Sequence, residues 1–337
     1  MNVLLVQLKR IGDLILTVPA VAAVRRNFPE ARITLLVAHG SRELLPAIPG
    51  VDRVLVARGG AADFARWCAV AAADFDYCLD FSRTDRSAFL TWLSGARERI
   101  TYDTARREPI RQLCYNQFIP SRVGSVHTVD HHLMLLAPLG VHDALLEIHL
   151  VLPRSAETRA DEIVKQQIGE DFIILHSGSA RAEKFWVPER WAKIVSRLSK
   201  AHAAGFVLTG GRSGLERKHV VEIKSQLDQP IVDLSGTLDL LTLAALIRRA
   251  RLLVTIDSAP MHLAAAFGTP QVALFGPTNP FHWRPRTTPA LILQGNASAP
   301  LRVFDPQLPP AAMNQISTES VIDAMQSLLS QPAASVS

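Results

Sequence analysis

Short runs of β-branched and leucine residues alternate along this chain with longer stretches of helical spacing. In the first half Val3 to Gln7, Ile33 to Val37, Val54 to Val56 and Tyr77 to Asp80 read as strands. In the second half Phe172 to Leu175, Phe206 to Thr209, Ile231 to Leu234, Leu252 to Ile256 and Gln271 to Phe275 do the same. Each of these later runs ends in a polar or glycine-containing turn, and all but the last lead into a helical pattern. Strands spaced by helices need right-handed βαβ crossovers, so the pattern predicts α/β architecture with open, parallel, doubly wound sheets. The rhythm breaks near His149 to Ser155, where Pro153 lies in an extended stretch. The expected organisation is a Rossmann-like domain over 1–153 and a second over 154–315. A helix over 316–330 is expected to pack back on the N-terminal domain, with a disordered tail at 331–337.

Length supports two cores: 337 residues suit two domains of about 150 each. With 48% apolar and 20% charged residues, the composition excludes disorder. The net charge of +5 is spread without a Lys/Arg block interleaved with aromatics, so nucleic acid is not an expected partner. Cys68, Cys78 and Cys114 are scattered, which fits a reducing cytosol and neither a disulfide framework nor a zinc site. Lys9 and Arg10 before an apolar run imitate a secretion signal, but Asp13 interrupts the run, and no basic residue precedes Val3 to Val6. No apolar run approaches the roughly 18 residues of a membrane span, so any membrane association is expected to be peripheral.

In open α/β sheets ligands bind beyond the carboxyl ends of the strands, and here those ends carry the candidate chemistry. After the run ending at Ile256, Asp257 is followed by Ser258 as a helix cap, Ala259, and Pro260 in the first turn. Gly268 and Pro270 stop the helix. Such an N-terminus suits a diphosphate, with His262 as an added donor; a structural βαβ unit with a buried histidine accounts for the same residues. After Leu175, Gly178 permits close approach, Ser179 offers a hydroxyl, and Lys184 is either a phosphate-binding charge or a solvated loop lysine. Glu183 and Phe185 stand where a P-loop has its second glycine and its Ser/Thr, which excludes that ATPase motif. Gly210 and Gly211 leave a third strand, and Glu216 either bridges ribose hydroxyls or acts as a helix-start acid. No complete GxGxxG with its downstream acid appears, against a dehydrogenase.

Asp74 and Asp76 imitate a metal-binding DxD but read as turn residues. His127, Asp130, His131 and His132 imitate a ligand cluster but sit on a core-packing helix. No metal site is expected. From Arg97 to Arg122 an arginine excess that includes Arg106 and Arg107 is either a solvated face or a patch for anionic substrate or headgroups.

The segments Leu8 to Pro19, His176 to Pro188, the Gly210-Gly211 turn, Asp257 to His262 and Leu274 to Thr278 together resemble the ordered signatures of glycosyltransferase family 9, the ADP-heptose:lipopolysaccharide heptosyltransferases. The form of Asp257 to His262, with His282 to Pro285 after it, looks most like the heptosyltransferase III branch. The resemblance implies a GT-B fold of two Rossmann-like domains and an inverting transfer that needs no metal or other cofactor. Its donor would be ADP-L-glycero-D-manno-heptose and its acceptor the lipopolysaccharide inner core. The enzyme would be cytoplasmic, peripheral on the cytoplasmic face of the inner membrane. Carried over, Asp13 would be the general base, although it could instead cap the following helix. Ser179 and Lys184 would meet the diphosphate, Glu216 the ribose, Leu238 the adenine face, Asp257 the heptose hydroxyls, and Ser258 and His262 the phosphates. Ala259 stands where many members have glycine. Arg106 and Arg107 would meet the acceptor. A sugar-nucleotide epimerase, a family 9 transferase using another nucleotide sugar, and a non-catalytic nucleotide-sugar binder remain as alternatives.

Overall fold

The computed structural model describes residues 1–200 and 203–330; the expected tail at 331–337 lies outside them. Two compact units meet at Val151 and Leu152, within two residues of the boundary at Pro153.

The first unit holds six parallel strands: β1 (Asn2–Gln7), β2 (Arg32–Ala38), β3 (Arg53–Ala57), β4 (Tyr77–Asp80), β5 (Glu98–Tyr102) and β6 (Gln117–Ile119). They lie side by side as β3-β2-β1-β4-β5-β6. The second unit repeats this plan with β7 (Phe172–His176), β8 (Gly205–Thr209), β9 (Val232–Asp233), β10 (Leu252–Ile256), β11 (Gln271–Phe275) and β12 (Ala290–Gln294), ordered β12-β11-β10-β7-β8-β9. In both sheets the chain winds outward from the first strand, returns, and continues on the other side. This puts the topological switch point between β1 and β4 in one unit and between β7 and β10 in the other.

The central strands β7, β10 and β11 are buried along their whole length. Helices on both faces of such a strand exclude water from every side chain, so its sequence is continuously apolar rather than alternating. Strands toward the sheet margins behave differently. β9 shrinks to two residues within the longer run expected there. β5, β6 and β12 were not legible as runs, because Glu98 and Arg99 open β5, β6 is a mere three residues long, and β12 sits between a proline-rich stretch and a glycine turn.

One expectation is corrected. The closing helix Thr318–Leu329 packs in the second unit, against the helix Pro188–Leu198 and the strands β10, β11 and β12. Val321, Ile322, Met325, Leu328 and Leu329 enter the same apolar core as Trp186 and Trp191. Its apolar stripe therefore completes the sheet cover of its own unit.

Candidate active site

In the second unit the loops leaving β7, β8 and β10 converge at the switch point. Lys184 follows β7 on a loop held from below by its neighbours. Trp186 is fully buried, donates Nε1–H to the Ile316 carbonyl at 3.0 Å and meets Trp191 edge to face. Phe185 stacks on His219 with ring centroids 4.2 Å apart. The Lys184 ammonium, thus placed, donates to Asp257 Oδ2 at 2.5 Å and to the Asp257 carbonyl at 3.1 Å. Thr278, beyond β11, donates its hydroxyl to the same Oδ2 at 2.6 Å. An ammonium has three N–H donors, so Lys184 keeps one free of this knot. The solvated-loop reading of Lys184 fails, since its side chain is 13% exposed and that of Asp257 9%.

Ser258 precedes the helix Ala259–Phe267, but its side chain makes no cap bond. Its hydroxyl turns back to the Ile256 carbonyl at 3.2 Å. The expected side-chain cap is therefore absent, and of the first three helical residues Ala259 keeps its N–H for an anion, since Pro260 has none and the Met261 N–H donates to the Ser258 carbonyl at 3.1 Å. His262, in the next turn, is buried; its Nδ1 has no hydrogen-bond partner among the described residues. Burial pushes its pKa down to about 4, with Lys184 adding to the effect and Asp257 opposing it. His262 is accordingly a neutral imidazole at pH 7, a donor or acceptor by tautomer but not a cation.

Glu216 fulfils its structural alternative without leaving the site. Its backbone N–H donates to Ser213 Oγ at 3.2 Å, Ser213 Oγ donates to Glu216 Oε2 at 2.7 Å, and the Gly211 N–H donates to Oε1 at 3.1 Å. The carboxylate lies so close over two loops that a Cβ built at Gly211 would stand 2.3 Å from Oε2, and one at Gly178 2.6 Å from Oε1. At Gly178 the backbone of Gly210 and Gly211 also stands 3.0 and 3.1 Å from such a Cβ, so close approach favours glycine there, whereas at Gly211 a side chain would have to displace the Glu216 carboxylate. Each carboxylate oxygen retains accepting capacity for a diol. Ser179 is turned locally, accepting from the Arg181 N–H at 3.2 Å. Leu238 lies half-buried in the loop after β9, where Arg212 donates to its carbonyl at 3.2 Å and to that of Gly236 at 3.1 Å. Sequence reasoning gave no role to Thr278, Arg212 or Ser177. The Ser177 hydroxyl is buried with no partner among the described residues.

In the first unit Asp13 is the third residue of the short helix Ile11–Ile15, whose N-cap is Arg10; Asp13 is not the cap. The Asp13 carbonyl accepts from Thr17 Oγ1 at 2.8 Å, and Thr17 accepts in turn from Gln7 Nε2 at 2.9 Å. Burial raises the Asp13 carboxyl pKa above the usual aspartate value, opposed mainly by Lys9. A carboxylate made more basic in this way suits proton abstraction.

The imitation motifs have structural uses. Asp74 sits in a turn at φ 28°, and Asp76 Oδ2 accepts from the Asn2 N–H at 2.8 Å. His127 accepts from the Val129 N–H to start its helix. His131 stacks on Tyr102 at 3.8 Å, and His132 Nδ1 lies 3.2 Å from Thr17 Oγ1. Among the described residues no three His, Cys, Asp or Glu side chains are placed to share a metal ion. Arg106 and Arg107 end a 3-10 turn (Asp103–Arg107) just beyond β5, and the Arg106 guanidinium lies 4.3 Å over the Phe118 ring.

The family model for glycosyltransferase family 9 (heptosyltransferase) matches residues 64–303. The chain belongs to glycosyltransferase family 9. It is a glycosyltransferase, and the epimerase and non-catalytic alternatives are set aside. This family 9 chain is 27% identical over 287 residues to lipopolysaccharide heptosyltransferase 3 of Escherichia coli, covering 81% of this chain and 83% of that one. Among solved structures, it is similar to a family 9 glycosyltransferase from Veillonella parvula, with a TM-score of 0.83, 24% identity and 97% of each chain covered. Similar again is E. coli ADP-heptose lipopolysaccharide heptosyltransferase II, with a TM-score of 0.80, 19% identity and 98% of each chain covered. The two six-stranded sheets are those of the GT-B fold.

Proposed function

We propose that this family 9 enzyme transfers heptose, with inversion, from ADP-L-glycero-D-manno-heptose to the inner core of lipopolysaccharide, as a heptosyltransferase of the III type. The Lys184–Asp257–Thr278 knot beside an uncapped helix N-terminus carries this reading. It offers an ammonium N–H and the Ala259 N–H at the positive end of the helix dipole to a diphosphate while holding a carboxylate where sugar hydroxyls would lie. Inversion needs a base for the acceptor hydroxyl on one face of the sugar and stabilisation of departing ADP on the other. Asp13 in the first unit supplies the base. Lys184, Ser179, Ser258, His262 and the helix that begins at Ala259 supply the diphosphate site in the second, with Glu216 on the ribose and Leu238 against the adenine.

These phosphate contacts are cationic or dipolar, so no metal is required. ADP should raise the melting temperature of the protein equally with and without EDTA, and among ADP, UDP and GDP sugars the ADP-heptose should stabilise most. Stabilisation that appears solely with Mg²⁺ or Mn²⁺ would overturn the metal-free reading. A preference for UDP or GDP sugars would overturn the donor. Loss of one inner-core heptose from the lipopolysaccharide of a deletion strain tests the acceptor.

We also place the enzyme at the cytoplasmic face of the inner membrane. No helix of the described residues is long and apolar enough to cross a membrane, and the first unit has a surface suited to an anionic bilayer. Phe89 and Trp92, on the helix Asp85–Leu93, are 42% and 56% exposed, and Ile110 and Leu113 on the neighbouring segment 82% and 74%. Arg111 joins the two segments through Asp85 at 2.5 Å, and Arg97, Arg106 and Arg107 are exposed in the same stretch. Aromatic and aliphatic side chains insert at an interface while arginines meet its negative potential. The double variant Arg106→Glu/Arg107→Glu should release the enzyme from phosphatidylglycerol vesicles and raise the apparent acceptor KM, more so at low salt. Unchanged vesicle binding and acceptor kinetics at low ionic strength would leave these arginines as a solvated face.

A further inference from the structure

At the switch point of the first unit, the ends of β1 and β4 carry one cation each. The Leu8 N–H donates to Ser82 Oγ at 2.6 Å, and the Phe81 N–H donates to the Val6 carbonyl at 3.0 Å. Lys9 and Arg83, the next residues on the two strand ends, are thereby held side by side. Both are partly buried. Burial lowers the Lys9 pKa, Asp13 opposes this, Arg83 lowers it further, and Asp80 opposes again.

Arg83 is also strained. It stands at φ 59°, one of two non-glycine residues with positive φ among the described residues. The left-handed region is disfavoured for a side chain of this size, and such strain gathers at functional positions. The guanidinium lies 5.3 Å from the centre of the Tyr102 ring, and Tyr102 is itself stacked on His131 and donates its hydroxyl to the His131 carbonyl at 2.7 Å. The arginine therefore has a rigid platform.

No hydrogen bond or ion pair engages the Lys9 ammonium or the Arg83 guanidinium among the described residues. The nearby carboxylates Asp13 and Asp80 attract Lys9 through space but accept no hydrogen bond from either cation's side chain. Asp80 is fully buried, with Oδ2 taken by the Tyr115 hydroxyl at 2.6 Å and Oδ1 by the Ser82 and Arg83 N–H groups at 2.8 and 3.3 Å. Asp13 lies one helical turn beyond Lys9 and attracts it without a hydrogen bond to it. Two neighbouring cations with unused donors, on adjacent strand ends, form a place for an oxyanion.

We propose that Lys9 and Arg83 form an anion subsite that grips a carboxylate or phosphate of the acceptor saccharide beside the hydroxyl that Asp13 deprotonates. This rests on the transferase reading above and extends it to acceptor selection. An acidic group fixed there brings the neighbouring sugar hydroxyl to the base, and a neutral saccharide of the same shape lacks that hold.

The test uses the full-length enzyme with delipidated core oligosaccharide in three forms: intact, phosphatase-treated and carboxyl-reduced. Arg83→Gly removes the charge and suits the backbone at this φ, so it should melt at or above the wild-type temperature. Lys9→Met keeps the length of the side chain without its charge. Each variant should raise the KM for the intact saccharide about ten- to a hundredfold, the effect of losing a charge-assisted hydrogen bond, with kcat changed far less and ADP binding unchanged. The penalty should vanish on whichever modified saccharide lacks the bound group, so phosphatase treatment or carboxyl reduction identifies which oxyanion it is. An unchanged KM for the intact saccharide in both variants would overturn the subsite, as would a penalty that persists on both modified saccharides. Wild-type transfer to the intact saccharide is the control that separates this from the heptosyl reading: its absence would count against that reading, whereas neutral variants of an active enzyme would count against the subsite alone.

Discussion

Asp13→Asn should lower turnover by about 10² to 10⁴ while leaving ADP affinity near wild type, because asparagine keeps the shape of the side chain but cannot take the acceptor's proton. The structure makes this substitution clean. Asp13 is the third residue of its helix and Arg10 its N-cap, so no cap is lost. The contact to Thr17 comes from the Asp13 backbone carbonyl and survives. Burial raises the pKa of this carboxyl, and a base works in its deprotonated form. The acid limb of kcat/KM should therefore lie above that of an ordinary aspartate, with activity lost as pH falls through it, and the limb should be missing in the asparagine variant. Turnover of Asp13→Asn within a few-fold of wild type would make Asp13 structural and send the search for the base elsewhere in the first unit.

The central strands were legible in the sequence because full burial forces continuous apolar runs, as in Leu252 to Ile256. The outer strands β5, β6 and β12 were not: β5 opens with the half-buried Glu98 and Arg99 although it pairs on both sides, and β6 is three residues long. The amphipathic pattern of the closing helix announces a buried stripe without naming which sheet receives it, and its place in the second unit follows from tertiary packing. At the site, strand ends marked the positions of Asp13, Lys184, Glu216 and Asp257, but local spacing could not show how they pair. That Lys184 reaches Asp257 across 73 positions, or that Glu216 leans over Gly178 and Gly211, depends on which strands become neighbours. Lys9 and Arg83 were hidden for the same reason: their juxtaposition requires β1 to pair with β4. Trp186 read as part of a motif, and its use is mechanical, since the indole anchors the loop that aims Lys184.

Lys184→Met should weaken donor binding and turnover together, since the ammonium meets the diphosphate in ground and transition states alike; a charge-assisted bond of this kind contributes about 1.5 to 3 kcal/mol. This separates it from Asp13→Asn, in which binding and rate part company. A second defect follows from the knot itself. Asp257 is mostly buried, and without Lys184 its carboxylate keeps the Thr278 hydroxyl as its side-chain partner. Removing one member of a buried ion pair leaves the other uncompensated, at a cost of about 3 to 5 kcal/mol for full burial, so the variant should also unfold at lower denaturant concentration. Lys184→Met combined with Asp257→Asn should recover much of that stability, because the neutral amide needs no counter-charge, yet it should not recover donor affinity. Equilibrium unfolding of the single and double variants, alongside calorimetric titration with ADP, reads the two effects apart. If the double variant regained ADP affinity along with stability, Lys184 would be a structural partner of Asp257, and the diphosphate site would have to rest on the helix N-terminus and its neighbouring hydroxyls.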